Sequence, residues 1–453
     1  MRFFFCLAAV IICSSKPALA HASEQGFVLL LPTTLYVSGG VASVALTVIL
    51  IAMLPPHIAQ SLFHPFRLGP SIGRRGAVPI SCISFFCLFA LVLIGGLGPH
   101  DPNRNALPLA IWSLFWVLFV TSQAIFGDLW RYVNPWSGPY SLLRRLGFAP
   151  RLQLPSHVGY WPGFLSFLAF ASVLLAYPAP SDPEQLAVLV SLYWLFHFVG
   201  MLAFGPRWLR RAEGLTILLV CYANISVIGA SRGHLNAGLW GWKTILRPAP
   251  PLSLAVFCIT ILAIGSFDGL NETFWWFGKI GVNPLEFPGR SAVVSETLTG
   301  ILFTVPALIA AYALSVWLGV RLINHEPAFG LAFCTLAPAI LPIALGYHIG
   351  HYFPSFLIEI QYVARTFCSG IGLCDVQVTT GFFKTLATVK VIWLSQAGAV
   401  VLGHVVAILL SHVLALRLFG CHRKAAISQT PLAIFMILYT IFGLWLLAAP
   451  RGA

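Results

Sequence analysis

Residues 79–98, PISCISFFCLFALVLIGGLG, form an uninterrupted run without a charged side chain. A helix of this length spans about 30 Å, which is the thickness of the hydrocarbon layer of a membrane. Similar apolar runs recur along the chain and predict membrane spans near 35–54, 79–98, 107–126, 158–177, 185–205, 252–267, 294–319, 328–352, 387–414 and 431–449. The sequence therefore predicts an all-α, polytopic transmembrane helical bundle with about 10–11 membrane segments.

The composition agrees with a lipid environment. Hydrophobic residues make up 58% of the chain and charged residues only 9%, whereas a soluble domain carries about 25% charged residues. The net charge of +13 comes from basic residues spread over the connecting loops, as the positive-inside rule predicts, and not from a nucleic-acid-binding cluster. We therefore expect one transmembrane helical domain over residues 21–453, with the lipid bilayer as its main partner and no nucleic acid.

Residues 1–20 have the pattern of a cleavable signal peptide. Arg2 supplies the positive charge, residues 3–13 form an apolar core too short to span, and residues 18–20 fit an A-x-A cleavage site. An uncleaved membrane anchor is the alternative. Cleavage would leave His21 as the mature N-terminus in the periplasm, with the chain in the bacterial inner (cytoplasmic) membrane.

Segment 214–230 makes the topology ambiguous. It is apolar but short, and basic residues flank it on both sides, so we expect it to be re-entrant or interfacial. Loops 268–293 and 353–386 then face the periplasm. If the segment crosses instead, every later loop inverts and the basic loop near residue 420 lies outside, against the positive-inside rule.

The motif at 346–352, GYHIGHY, is the strongest candidate for a functional site. His348 and His351 are three residues apart and share one helix face. Imidazole is the commonest metal ligand, and ionisable groups within membrane segments are costly and tend to be functional. These residues predict a metal or catalytic site. The alternative is a pair of interfacial histidines beside Tyr347 and Tyr352 in an aromatic belt.

Carboxylates elsewhere could complete such a site. Asp268 and Glu272 are four residues apart just after a predicted span, and their oxygens could bind one ion or activate a water. The alternative is a helix start, where acids are favourable. Glu359 lies two turns beyond His351 and is a further candidate on that helix.

Five other positions are weaker candidates. A free N-terminal His21 offers an amine and a ring nitrogen to a metal, unless it only marks the cleavage junction. His404 and His412 share a helix face and could relay protons, or they could be buried polar groups bonded to neighbouring helices. Cys368 and Cys374 could form a disulfide in the periplasm, or remain free thiols.

Several blocks of the sequence resemble one family of bacterial polytopic membrane proteins. Some of its members are described as membrane-bound fenitrothion hydrolases, which cleave organophosphate triesters. The similarity extends over most of the chain. It rests on residues 21–33 (HASEQGFVLLLPT), 266–272 (SFDGLNE), 275–276 (WW), 281–290 (GVNPLEFPGR) and 347–352 (YHIGHY).

The resemblance implies hydrolysis of a phosphorothioate triester into a nitrophenol and a dialkyl thiophosphate. This chemistry needs an activated water and a cation that stabilises charge at phosphorus, so we expect a divalent metal ion as cofactor. His348 and His351 would bind it, with Asp268 or Glu272 as third ligand or base. An apolar small-molecule substrate would reach the site by partitioning into lipid.

Two other classes of function fit the same residues. About ten spans, a re-entrant segment and histidines within the membrane are also typical of a transporter or metal-handling permease. A non-catalytic subunit that works with a second membrane subunit is the third possibility. The chain has no Walker loop, which argues against an ATP-driven pump.

Overall fold

The computed structural model describes residues 28–71, 73, 76–286, 289–370 and 376–451. The signal-peptide segment 1–20, His21 and Cys374 lie outside these residues. Helices make up 76% of the described residues, which confirms the predicted all-α helical bundle.

Eleven apolar helices, α1–α11, account for the membrane part of the described chain. Nine of them are long and apolar enough to span a membrane, while α4 and α6 are shorter. The bounds are α1 Thr33–Met53, α2 Ala77–Leu97, α3 Ala106–Phe126, α4 Trp161–Ala176, α5 Pro183–Phe204, α6 Gly214–Ile225, α7 Leu252–Asn271, α8 Val294–Leu322, α9 Leu341–Gly370, α10 Leu386–Phe419 and α11 His422–Ala448. Each predicted span has a helix at its position, and α9 continues well beyond the predicted end at residue 352.

Short helices and a small sheet connect these segments. The short helices are Pro56–Ser61, Trp130–Val133, Ser137–Arg145, Pro206–Ala212, Trp242–Ile245, Phe274–Lys279 and Phe329–Leu336. The strands are β1 Phe66–Pro70, β2 Ile228–Ser231 and β3 His234–Ala237, in the antiparallel order β1-β3-β2.

The sheet places both ends of α6 on the same side of the bundle. Strand β1 precedes α2, so α2 ends on the side opposite the sheet. Gly95, near that end of α2, packs against Pro183 at the start of α5, and α5 therefore ends on the sheet side. Helix α6 follows α5 and leads into β2 and β3, which are also on the sheet side. Its 12 residues reach only about 18 Å, less than the hydrocarbon thickness.

Helices α7, α9 and α10 form the centre of the bundle. The apolar window of α7 is 83% buried and that of α10 is 72% buried, compared with 6% for α2. Helices α9 and α10 approach closely at two glycines: a Cβ atom on Gly346 would lie 2.4 Å from the Ala399 carbonyl oxygen, and one on Gly403 would lie 2.5 Å from that of Pro342. Small residues at helix contacts permit such approach in membranes, and the polar side chains of α7 and α9 are thereby enclosed.

Candidate functional site: a buried carboxylate–histidine group

Asp268 stands at the centre of the candidate site, in the last turn of α7. Its Oδ2 atom lies 3.3 Å from Nε2 of His351 on α9 and accepts a hydrogen bond of 2.5 Å from the hydroxyl of Tyr352. Asp268 and His351 are each only 7% exposed. A buried carboxylate needs partners to offset its lost hydration. His351 and Tyr352 supply these partners for Asp268, and the contacts also fix the position of α7 relative to α9.

Glu272 completes a group with the donor atoms for a cation. One ligand atom each from Asp268, Glu272 and His351 lie within 4.8 Å of one another. Asp268 and Glu272 share a helix face because they are four residues apart. Nδ1 of His351 is buried and has no hydrogen-bond partner among the described residues. Two carboxylates and one imidazole are a ligand set that divalent metal ions accept, so the residues present fit the expected cofactor.

The C-terminal segment lies next to Glu272. Nη1 of Arg451 lies 3.6 Å from Oε2 of Glu272. The segment is held there because Arg451 pairs with Thr273 in a β-bridge and the Phe274 amide donates to the Pro450 carbonyl at 2.9 Å. No local sequence pattern predicts this contact, because four membrane helices separate Glu272 from Arg451 in the chain and their packing sets the distance between the two residues.

His348 does not join this group, although it was expected as a ligand beside His351. Its Nε2 atom is 3.0 Å from the carbonyl oxygen of Trp116 on α3 and donates a hydrogen bond to it. Its ring packs edge-on against the Trp116 indole at 5.2 Å between centroids. A three-residue spacing places His348 and His351 on one face of α9. That face is wide enough to contact two helices, so His348 meets α3 while His351 meets α7.

The other sequence-derived candidates also lie apart from the group. Glu359 accepts a 2.6 Å hydrogen bond from Ser113, and His404 donates from Nδ1 to the Val400 carbonyl in its own helix. Cys368 is disulfide-bonded, while Cys374, its expected partner, is outside the described residues, as is His21.

Asp268 and His351 of this group line a small internal cavity of about 30 Å³. Asp268, His348, His351 and Tyr352 face it together with apolar side chains, among them Trp116. This volume holds about one water molecule. Charge interactions are strong in such an enclosed site because little solvent screens them.

Comparisons with protein-family models, curated proteins and solved structures found no match to this chain. The fold class therefore rests on the helices themselves, and the chemistry rests on the geometry around Asp268.

Proposed function

We propose that this protein is a membrane-bound, metal-assisted hydrolase of apolar organophosphate triesters such as fenitrothion. The observation that carries the proposal is the group of Asp268, Glu272 and His351, whose ligand atoms lie within 4.8 Å of one another. A divalent cation bound there would polarise the thiophosphoryl group and lower the pKa of a water. The resemblance noted in the sequence supports the substrate class.

Asp268 and Glu272 would have different roles in the reaction. Oδ2 of Asp268 already accepts from Tyr352 and contacts His351, so Asp268 is positioned to bind the cation and not to take a proton. The Glu272 side chain is 38% exposed and is therefore the base that can pass a proton to bulk water. Water adds to phosphorus, the bond from phosphorus to the aryl oxygen breaks, and the products are a nitrophenol and a dialkyl thiophosphate.

The reaction would take place near one face of the membrane. Asp268 lies at the end of α7 away from the sheet, and the basic loops accompany the sheet side. By the positive-inside rule we assign the site to the periplasmic face of the inner membrane. An uncharged triester dissolved in lipid can reach this depth without crossing an aqueous barrier.

Proton-coupled transport is the second candidate function. The chain of Asp268, His351 and Tyr352 is a set of buried ionisable groups inside a membrane bundle, which is typical of proton relays in transporters. The two functions differ in one respect: a hydrolase turns over in detergent, where no gradient exists.

The test is to purify the protein in detergent, measure bound metals by elemental mass spectrometry and assay nitrophenol release from fenitrothion. We expect about one metal ion per chain and turnover, both lost in Asp268→Asn and His351→Ala. The matched control is His100→Ala, a change at an exposed histidine, which should retain both. Folded wild-type protein that neither binds metal nor releases nitrophenol would refute the proposal and favour the transporter or a subunit that needs its partner.

A further inference from the structure

A large apolar chamber lies beside the candidate site, between helices α2, α3, α4 and α5. Its volume is about 560 Å³, which is within the range of about 300–1,000 Å³ found for small-molecule sites. By contrast, the 30 Å³ cavity at Asp268 is too small for any triester. The substituents of a substrate that reacts at Asp268 must therefore occupy a neighbouring space.

The chamber offers almost no free hydrogen-bonding groups. The indole N–H groups of Trp112, Trp130 and Trp136 line it, but each donates within the protein, at 3.0, 2.8 and 2.9 Å respectively. The hydroxyl of Ser84 is bonded to its own helix, and that of Tyr193 is bonded to Glu213. A polar or charged ligand would lose its hydration without replacement, so the chamber suits an uncharged, lipid-soluble molecule.

Trp116 forms the partition between the chamber and the site. It lines both cavities, and its ring lies 5.2 Å from that of His348 and 6.2 Å from that of Tyr352. The side chain is only 6% exposed, and its ring fills the space between the two cavities.

The wall that carries Trp116 has an unusual backbone. Residues Leu109–Phe119 of α3 form a π-helix, a conformation that is rare and is found mostly at functional sites. The chamber-lining residues Ala110, Trp112 and Phe115 lie in the same segment. The irregular part of α3 therefore coincides with the boundary between chamber and site.

We infer that the chamber binds the apolar substituents of the substrate, an uncharged lipophilic phosphotriester, while the Trp116 ring, which lies between the chamber and the site, positions the phosphorus atom. The inference rests on the proposed function, because the triester reacts at the group around Asp268. It adds the location of the substituents and a positioning role for Trp116.

The test uses two readouts on protein purified in detergent. Tritiated trioctyl phosphate, which has no aryl leaving group, reports binding. Dimethyl, dibutyl and dioctyl p-nitrophenyl phosphates report hydrolysis as a function of chain length. The chamber is filled by Ala110→Phe or Ala169→Phe, with Ala110→Leu as a milder change in case the larger side chain prevents folding. The control is Val188→Phe, since Val188 is 58% exposed on α5 and does not line the chamber.

We expect the filled variants to bind trioctyl phosphate about tenfold more weakly or worse, and to raise KM for the dioctyl ester at least about tenfold more than KM for the dimethyl ester. Trp116→Leu should raise KM for all three esters because it removes the ring that positions the phosphorus atom. Equal binding in wild-type and filled variants would overturn the inference, and so would an equal loss in Val188→Phe.

The two proposals can fail separately. If the filled variants lose trioctyl phosphate binding but the wild type hydrolyses no ester, the chamber site stands and the hydrolase proposal fails. If the esters are hydrolysed with the same KM in every filled variant, the hydrolase stands and the chamber is overturned. A phospholipid that copurifies in the chamber and is not displaced by trioctyl phosphate would also overturn it.

Discussion

Nε2 of His351 and Oδ2 of Asp268 are 3.3 Å apart, although the two residues belong to different membrane helices. Tyr352, next to His351, donates to the same oxygen. One carboxylate oxygen thus joins α7 to α9 through two side chains. We therefore expect substitution of Asp268 to reduce hydrolysis and metal binding more than any other change in the group.

Asp268→Asn keeps the size of the side chain but removes its charge. We expect metal binding to be lost and hydrolysis to fall by about 10²–10³-fold or more, the range for loss of one electrostatic stabiliser of the transition state. Kinetics with fenitrothion and elemental analysis of the same samples check this. Asp101→Asn, in an exposed loop, is the control, and equal activity in the two variants would contradict the role of Asp268.

The two histidines of the 346–352 motif should behave differently. His351→Ala should abolish metal binding, because His351 supplies a ligand atom to the group with Asp268 and Glu272. His348→Gln should retain the metal, since His348 bonds instead to the Trp116 carbonyl. Metal content per folded chain decides the matter. Loss of metal in both variants would restore the paired-histidine site expected from the sequence.

Arg451 would compete with a cation bound to Glu272. Its guanidinium lies 3.6 Å from the carboxylate, and two positive charges near one carboxylate repel each other. We therefore expect Arg451→Gln to tighten metal binding by a few fold, a modest effect because Glu272 is partly exposed and solvent screens the interaction. Titration with the metal found in the wild type measures it. Arg365→Gln is the control, and weaker binding in Arg451→Gln would contradict the prediction.

Gly269 leaves room for the hydroxyl of Tyr347. A Cβ atom at position 269 would lie 1.7 Å from that oxygen, so Gly269→Ala should lower the free energy of unfolding by about 1–3 kcal/mol or more. Tyr347→Phe alone should be nearly neutral, because the buried hydroxyl has no hydrogen-bond partner among the described residues.

The double variant provides the decisive comparison for this contact. Tyr347→Phe removes the clashing oxygen and should restore much of the stability lost in Gly269→Ala. Thermal unfolding in detergent of the wild type, both single variants and the double variant gives the coupling between the two sites. Simple additivity would show that the destabilisation has another origin.

Lys243 should make stability depend on pH. Burial, with a further contribution from the charge of Arg247, lowers the pKa of Lys243 from 10.5 to about 8. Between about pH 8 and 10.5 the unfolded chain binds more protons than the folded one, so the free energy of unfolding rises with pH in this window. Lys243→Met should remove this rise.

The measurement is the unfolding midpoint of wild type and Lys243→Met from pH 7.5 to 10. We expect the difference between the two proteins to change steadily above about pH 8 in favour of the wild type. Lys384→Met is the control, because Lys384 is exposed. Parallel pH profiles for wild type and Lys243→Met would refute the prediction.

The sequence alone determined the class of fold and the positions of the spans. In lipid, each helix satisfies its own backbone hydrogen bonds. The helical structure of a run such as 79–98 can therefore be predicted from that run alone. Helix periodicity also identified Asp268 and Glu272 as neighbours on one face. Both conclusions need only distances along one helix.

Only the tertiary structure decided which faces meet. The contact between Asp268 and His351, the turn of His348 towards Trp116 and the arrival of Arg451 at Glu272 each depend on how separate helices rotate and approach. That arrangement is set by close packing, as at Gly346 and Gly403 between α9 and α10. Periodicity within one helix contains no information about such packing, because it fixes a residue's face but not the neighbour that the face will contact.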